Sequence, residues 1–216
     1  IGAGIVVGLY IAIAFLIAPI LSTLVQFDSL EKVDYSQLSV NVKDCNSETL
    51  TNDKKTCQTS EGREYCFPVN DLSTVNYAVA HHDYYAADIF RNGDVAGPVD
   101  DVPLPILAYV GGTVSWISEN NSLGGYAIEI SGQDGRFYYY AHNMCNLVSL
   151  NQTVNAGDVI AGMDSSGDAI NTPEHVHFQI SDQYDMATIP ENYPHFLAPW
   201  EDFCTRLSLC GPHVGN

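Results

Sequence analysis

Hydrophobic and polar positions divide the chain into two regimes. Residues 1–27 contain no charged side chain, and residues 2–25 read GAGIVVGLYIAIAFLIAPILSTLV. A helix needs about 20 apolar residues to cross a hydrocarbon core about 30 Å thick, so this run predicts a hydrophobic helix of transmembrane type. Pro19 is expected to kink it or end its regular part, because proline lacks the N–H and clashes with the preceding turn. From residue 66 onward the pattern changes to short runs such as ILAYVGGTVSWI, YAIEISG, RFYYYAH and HVHFQI, separated by Gly and Asn turns. Runs of this length, rich in β-branched and aromatic residues, predict antiparallel β structure. No stretch beyond residue 30 carries a long helical period, and no internal repeat is visible.

The expected organisation is therefore mainly β with a helical lead-in. It comprises a hydrophobic membrane-anchor or assembly helix at 1–27, a polar, Cys-containing stalk or small subdomain at 28–65, an antiparallel β-sheet domain at 66–203, and a tail at 204–216. Gly4, Gly8 and Ala12 recur every four residues, a small-residue ridge that lets helix backbones approach closely and suits self-association into a homo-oligomer. The apolar run lacks the basic n-region and clean cleavage site of a signal peptide, so a retained helix is expected. The charges that follow it, Asp28, Glu31, Lys32 and Asp34, are mostly acidic. With no basic cluster to hold that flank inside, the soluble part is placed outside the cytoplasm, at a cell surface, in a periplasm or in an extracellular filament.

Charge narrows the partners. The 26 Asp and Glu against 8 Lys and Arg give a formal net charge of −18, all of it beyond residue 27. Such a surface repels nucleic-acid phosphate, and no basic stripe opposes it, so no nucleic-acid role is expected. The six cysteines, Cys45, Cys57, Cys66, Cys145, Cys204 and Cys210, form no C-x-x-C pair. An even count without metal spacing points to disulfides and an oxidising compartment. The local pairs are Cys57 with Cys66 and Cys204 with Cys210, leaving Cys45 with Cys145; buried free thiols are the alternative. Sequons at Asn120 and Asn151 are compatible with export.

Histidine placement carries the chemistry. Residues 81–90 read HHDYYAADIF, residues 138–144 read YYYAHNM, and residues 173–180 read PEHVHFQI. In a strand, positions i and i+2 share a face, so His175 and His177 project together. These segments, taken in order with GGTV at 111–114, GGYAIEI at 124–130 and VNAGDVIAG at 154–162, resemble peptidase family M23, the LytM and lysostaphin type of peptidoglycan endopeptidase. The resemblance covers about 135 residues, from Cys66 to Trp200. It implies an antiparallel β peptidase domain with zinc as cofactor. His82, Asp88 and His177 are the implied metal ligands, and His142 and His175 the implied catalytic pair. His81 is a rival to His82, which the spacing to Asp88 favours. Three protein ligands leave a fourth position for water, as hydrolytic zinc sites require. Gly111, Gly157 and Gly162 are expected at turns with positive φ.

Departures from the family pattern include Tyr85 for the frequent Pro, Glu174 and Gln179 in the H-x-H segment, and an acidic insertion at 91–105 bearing Asp94, Asp100 and Asp101. A solvated loop is the ordinary reading of that insertion; a cation site is the rival. His195 and His213 lie outside the motifs and receive no role. The function implied is a membrane-anchored, cell-surface zinc endopeptidase that hydrolyses peptide bonds in peptidoglycan stems or cross-bridges. The alternative is a structural subunit of a helix-mediated, pilin-like filament or envelope complex that displays such a domain. Against the alternative, the apolar run lacks the acidic residue usual near the start of a type IV pilin helix. A degenerate, activating M23 domain is disfavoured because no metal ligand is missing.

Overall fold

A computed structural model describes residues 50–81, 83–93, 102–184 and 194–211, all within the compact unit Lys43–Asn216. The expected helix at 1–27, Cys45, His82, the aspartates at 94, 100 and 101, and His213 lie outside the described residues. Among the described residues no helix is long and apolar enough to cross a membrane.

Short alternating runs produce a short-stranded architecture. A hairpin of β1 (Cys57–Ser60) and β2 (Arg63–Cys66) precedes a ten-stranded sheet. Its strands are β3 (Val75–Ala80), β4 (Ala87–Arg91), β5 (Pro105–Leu107), β6 (Gly112–Asn121), β7 (Gly125–Gly132), β8 (Phe137–Asn146), β9 (Thr153–Val154), β10 (Val159–Met163), β11 (His175–Ser181) and β12 (Phe196–Leu197). One helix, α1 (Pro199–Leu207), closes the described part. The main path runs β3-β4-β11-β8-β7-β6-β9, with β10 bridging β5 and β8, and β12 on β11. Every pairing is antiparallel, as the sequence pattern predicts.

Alternation along the strands separates two faces. Tyr138, Tyr140, Phe178, Ile180, Ile128 and Ile130 point into one core together with Tyr65, Phe67, Tyr109 and Phe203. The opposite face carries Tyr139, Ala141 and Ala127, packed against Trp116. The YYY run thus supplies two core residues and one outward residue, as period-2 geometry requires. Phe203 of α1 stacks on Phe178 with centroids 5.7 Å apart, which docks the helix on the core face.

The boundaries differ from those expected at composition shifts. Leu50 and Tyr65 are buried, Cys66 donates its N–H to Tyr109 O at 2.8 Å, and Phe67 donates to Thr56 O at 2.8 Å. Residues 50–65 therefore pack onto the β domain, with β1 and β2 forming a two-stranded sheet of their own. At the other end α1 runs through the expected boundary at residue 203, because Leu207 shares the core with Phe203. Disulfides join Cys57 to Cys66 and Cys204 to Cys210, as local spacing favours. Cys145 is also disulfide-bonded, and no described cysteine is free. Gly157 has φ +78°, as expected. Gly111 and Gly162 are instead sites of close approach: a Cβ would meet Gln133 Oε1 and Pro103 Cβ, each at 3.2 Å.

An ionic network fastens α1 to the β7–β8 turn. Arg136 donates to Asp134 Oδ2 at 2.8 and 2.9 Å and to Asp202 Oδ1 at 2.7 Å, with its side chain only 14% exposed. Tyr138 donates to Asp134 at 2.6 Å and Tyr109 to Asp202 at 2.8 Å. Removing one member of a buried ionic cluster leaves the others uncompensated, at a cost of about 3–5 kcal/mol. Arg136→Met is therefore expected to lower stability by about 3 kcal/mol in urea unfolding, whereas Lys54→Met, at the exposed pair with Asp71, is expected to leave the urea midpoint nearly unchanged.

Candidate active site

Register builds the first part of the site. His177 lies opposite Asp88 on one neighbour, β4, and opposite Ala141 on the other, β8. Directly paired residues share a face, so His177, Asp88 and Ala141 emerge together while Val176 and Phe178 enter the core. His177 Nδ1 lies 2.9 Å from Asp88 Oδ1. The β3–β4 connection is closed by His81 N–H donating to Ala86 O at 2.9 Å. Val79 is paired with Asp88, and His81, two positions on, has the same parity. One donor atom from each of His81, Asp88 and His177 lies within 4.8 Å of the others.

His82, which spacing favoured as a ligand, is outside the described residues. The imidazole that the described residues bring to Asp88 and His177 is that of His81. Two imidazoles and one carboxylate converging beside an open cleft form a donor set suited to zinc, with room for a further ligand. The other described cluster of donors, Cys57, Glu64 and Cys66, has its two sulfurs in a disulfide and offers no thiolate.

His142 reaches the same cleft by a departure from strand geometry. Simple alternation after Tyr138 and Tyr140 would send it into the core. Instead it has φ +63°, an unfavourable conformation for a residue with a Cβ. Around it β8 bulges against β7 and transfers its edge from β11, paired through Ala141, to β10, paired from Asn143. Bulges of this kind re-aim side chains. The bend is held by His142 N–H donating to Gly124 O at 2.8 Å, and by Ser166, whose Oγ donates to Asn143 O at 2.6 Å and accepts from Tyr126 N at 3.0 Å. Ser166 O accepts from His142 Nδ1 at 2.9 Å. Gly125 and Gly167 are required at this crossing, since both have positive φ and a Cβ on either would collide with the other's segment.

His175 is held by an equivalent bond: its Nδ1 lies 2.9 Å from Pro173 O, and Phe90 stacks on its ring at 4.6 Å. Glu174, one of the departures from the family pattern, secures this turn through Arg91 at 2.9 Å, and Arg91 N–H donates to Glu174 O at 2.9 Å. A carbonyl oxygen only accepts, so Nδ1 carries the proton in His142 and His175 and Nε2 is left as the basic nitrogen. The two rings stand 4.9 Å apart, and His142 lies 6.0 Å from His177.

These groups line a cleft of about 270 Å³ with Tyr84, Leu123, Gly124, Tyr139, Asp168, Ala169 and Thr172. A larger groove of about 520 Å³ beside Tyr85 and Trp200 contains none of the histidines or Asp88. Burial, reinforced by the neighbouring imidazoles of His177 and His175, pushes the His142 pKa down to about 3. His175 is lowered as well, chiefly by burial. Burial raises the Asp88 carboxyl, but the hydrogen bond from His177 and the surrounding imidazoles outweigh it and leave the group below the usual carboxylate range. His195 pairs with Asp182 at 3.0 Å and takes no part in the cleft. Sequence reasoning brought Asp88, His142, His175 and His177 to this site. It missed Tyr84, Ser166 and the Gly125–Gly167 crossing; the SSG triplet at 165–167 was the only local signal for the last two.

Residues 93–188 match the family model described as Peptidase family M23. The match includes His142, His175 and His177 and begins after His81 and Asp88. Among solved structures, a protein described as a glycyl-glycine endopeptidase LytM from Ruminococcus gnavus is 24% identical, with a TM-score of 0.40 over 53% of this chain and 43% of that one. The catalytic domain of lysostaphin from Staphylococcus simulans is 21% identical, with a TM-score of 0.43 over 60% of this chain and 89% of that one. A chain of the SpoIIIAH and SpoIIQ complex is 17% identical, with a TM-score of 0.49 over 64% and 99%. This chain thus spans less than half the length of the Ruminococcus endopeptidase. No curated protein matches it.

Ser166→Ala removes a hydroxyl that satisfies two backbone groups around His142. It is expected to cost about 1–3 kcal/mol in urea unfolding. The lowered histidines also set a pH dependence for the metal-free protein. Unfolding frees them to bind protons at their ordinary value near 6.5, which the folded state resists until about pH 3 for His142. Their contribution is fully present above about pH 6.5 and is lost progressively as pH falls. In the presence of chelator, the urea midpoint is expected to fall between pH 7 and pH 4.5, and to fall less in His142→Gln.

Proposed function

We propose that the chain is a zinc endopeptidase that hydrolyses peptide bonds in peptidoglycan stems or cross-bridges. The observation that carries this reading is the convergence of His81, Asp88 and His177 on one cleft, faced by two imidazoles whose Nδ1 atoms are tied to backbone carbonyls. His81, Asp88 and His177 would hold the ion, with His82, outside the described residues, as the rival to His81. Zinc bound there supplies Lewis-acid polarisation of the scissile carbonyl and a water of lowered pKa. His142 and His175, neutral at pH 7 and fixed in tautomer, offer Nε2 to accept the proton of the attacking water and return it to the leaving amine. Once protonated, the same rings face the developing oxyanion and stabilise its charge.

The cleft suits a slender substrate. Gly124 and Ala169 form part of its wall, and the missing side chain of Gly124 leaves room for the Tyr139 hydroxyl, which a Cβ would meet. The disulfides support an oxidising compartment outside the cytoplasm. The uncharged run at 1–27 supports attachment to a membrane or to other copies through its small-residue ridge.

Elemental analysis of the full chain is expected to find about one zinc per molecule, and purified wall fragments to gain free amines on incubation. His177→Ala should lose both. His142→Ala should retain zinc while amine release falls about 10²- to 10⁴-fold. Absence of zinc after chelator-free purification, together with no amine release from any cross-bridge type, would refute the assignment.

A further inference from the structure

We propose that Tyr84 is a positioning residue for His177: its phenol oxygen takes the Nε2–H of His177 and leaves Nδ1 as the nitrogen that faces the metal. The inference rests on the zinc reading above. Tyr84 Oη lies 3.4 Å from His177 Nε2, while the opposite ring nitrogen, Nδ1, lies 2.9 Å from Asp88 Oδ1. The His177 side chain is 5% exposed, so solvent does little to set its tautomer. Tyr84 is held in place by its ring neighbours, with His81 on one side at 4.3 Å and Phe196 of β12 at 5.2 Å. A separation of 3.4 Å is the long limit of a hydrogen bond. Contacts of this kind commonly tighten only when the site is engaged.

A neutral imidazole carries one proton. In the metal-free arrangement, Nδ1 faces a carboxylate that only accepts, so the proton sits on Nδ1, and Nε2 accepts from the Tyr84 hydroxyl. When Nδ1 gives its lone pair to a cation, that nitrogen loses its proton and Nε2 gains one. Net protonation of the ring is unchanged. Nε2 then needs an acceptor, and a rotated Tyr84 hydroxyl provides it. A hydroxyl serves in both roles, which neither an amide nitrogen nor an apolar ring can do. Metal-binding histidines usually donate their second N–H to a fixed partner, and loss of that partner typically costs 10- to 100-fold in metal affinity. Asp88 is not placed to be that partner, because its Oδ1 lies 2.9 Å from Nδ1, across the ring from Nε2. Tyr84 is the described oxygen on the other side.

The test uses the full chain. Zinc affinity is measured by competition with a chelator for the wild type and for Tyr84→Phe, which keeps the ring packing. Long-range proton–nitrogen correlation of the wild-type histidines, with and without zinc, reports which nitrogen of His177 is protonated. The proposal expects the proton on Nδ1 without zinc and on Nε2 with it, and at least about a tenfold loss of zinc affinity in Tyr84→Phe with an unchanged metal-free melting midpoint. Equal zinc affinity in the variant, or zinc on Nε2 of His177 in the wild type, overturns the role of Tyr84 and leaves the metal site standing. If wild type binds no zinc at all, the metal reading itself fails, and this inference with it. The nitrogen spectra decide the question on wild-type protein should the variant fold poorly.

Discussion

The cleft exists because β11 pairs on both edges in a register that sets His177 opposite Asp88 and Ala141 at once. That one alignment places the His177 imidazole beside the Asp88 carboxylate and puts a small residue, Ala141, on the third strand. A slip of one residue would carry Val176 and Phe178 to the cleft face and both histidines into the core. The register is therefore enforced by hydrophobic burial: Phe178 sits among Tyr109, Tyr138, Tyr140 and Phe203, and cannot leave without exposing a large apolar surface. Core packing and site assembly are one constraint seen from two faces of the sheet.

The placement of His142 in the cleft depends on breaking that same regularity. Tyr138, Tyr139 and Tyr140 alternate, and His142 would follow Tyr140 into the core but for its left-handed backbone. A β-strand does not adopt this conformation unaided, and here Ser166, Gly124, Gly125 and Gly167 oblige it to. The local cost of a positive φ is offset by three hydrogen bonds and by the change of partner strand at that point. The result is an imidazole carried on a strand and set 6.0 Å from that of His177.

The periphery supports this arrangement in a similar way. The loop at 83–86 offers Tyr84 to His177 and Tyr85 to Trp200, so the wall of the cleft leans on α1. The helix in turn is tied to the β7–β8 turn by the buried cluster of Arg136, Asp134 and Asp202. Among the described residues, the acidic side chains in the interior include Glu129 and Glu174.

Much of this was legible along the chain. The period-2 runs gave antiparallel strands, H-x-H gave two histidines on one face, and the local cysteine spacings gave two disulfides, because each depends on neighbours a few residues apart. Asp88, His142, His175 and His177 were named from motifs that preserve such local geometry. For the imidazole beside Asp88, counting residues favours His82, which lies outside the described residues; among those described, the β3–β4 pairing gives His81 the parity of Asp88. Tyr84, Ser166 and the glycine crossing were equally silent, since their partners lie 93, 23 and about 40 positions away. By itself the sequence determined the strands, their faces and the set of chemical groups, through short-range alternation and composition. Only the tertiary structure decided which of those groups meet, because the contacts that aim His177 and His142 are hydrogen bonds between strands distant in the chain, held in register by a core that no local pattern describes.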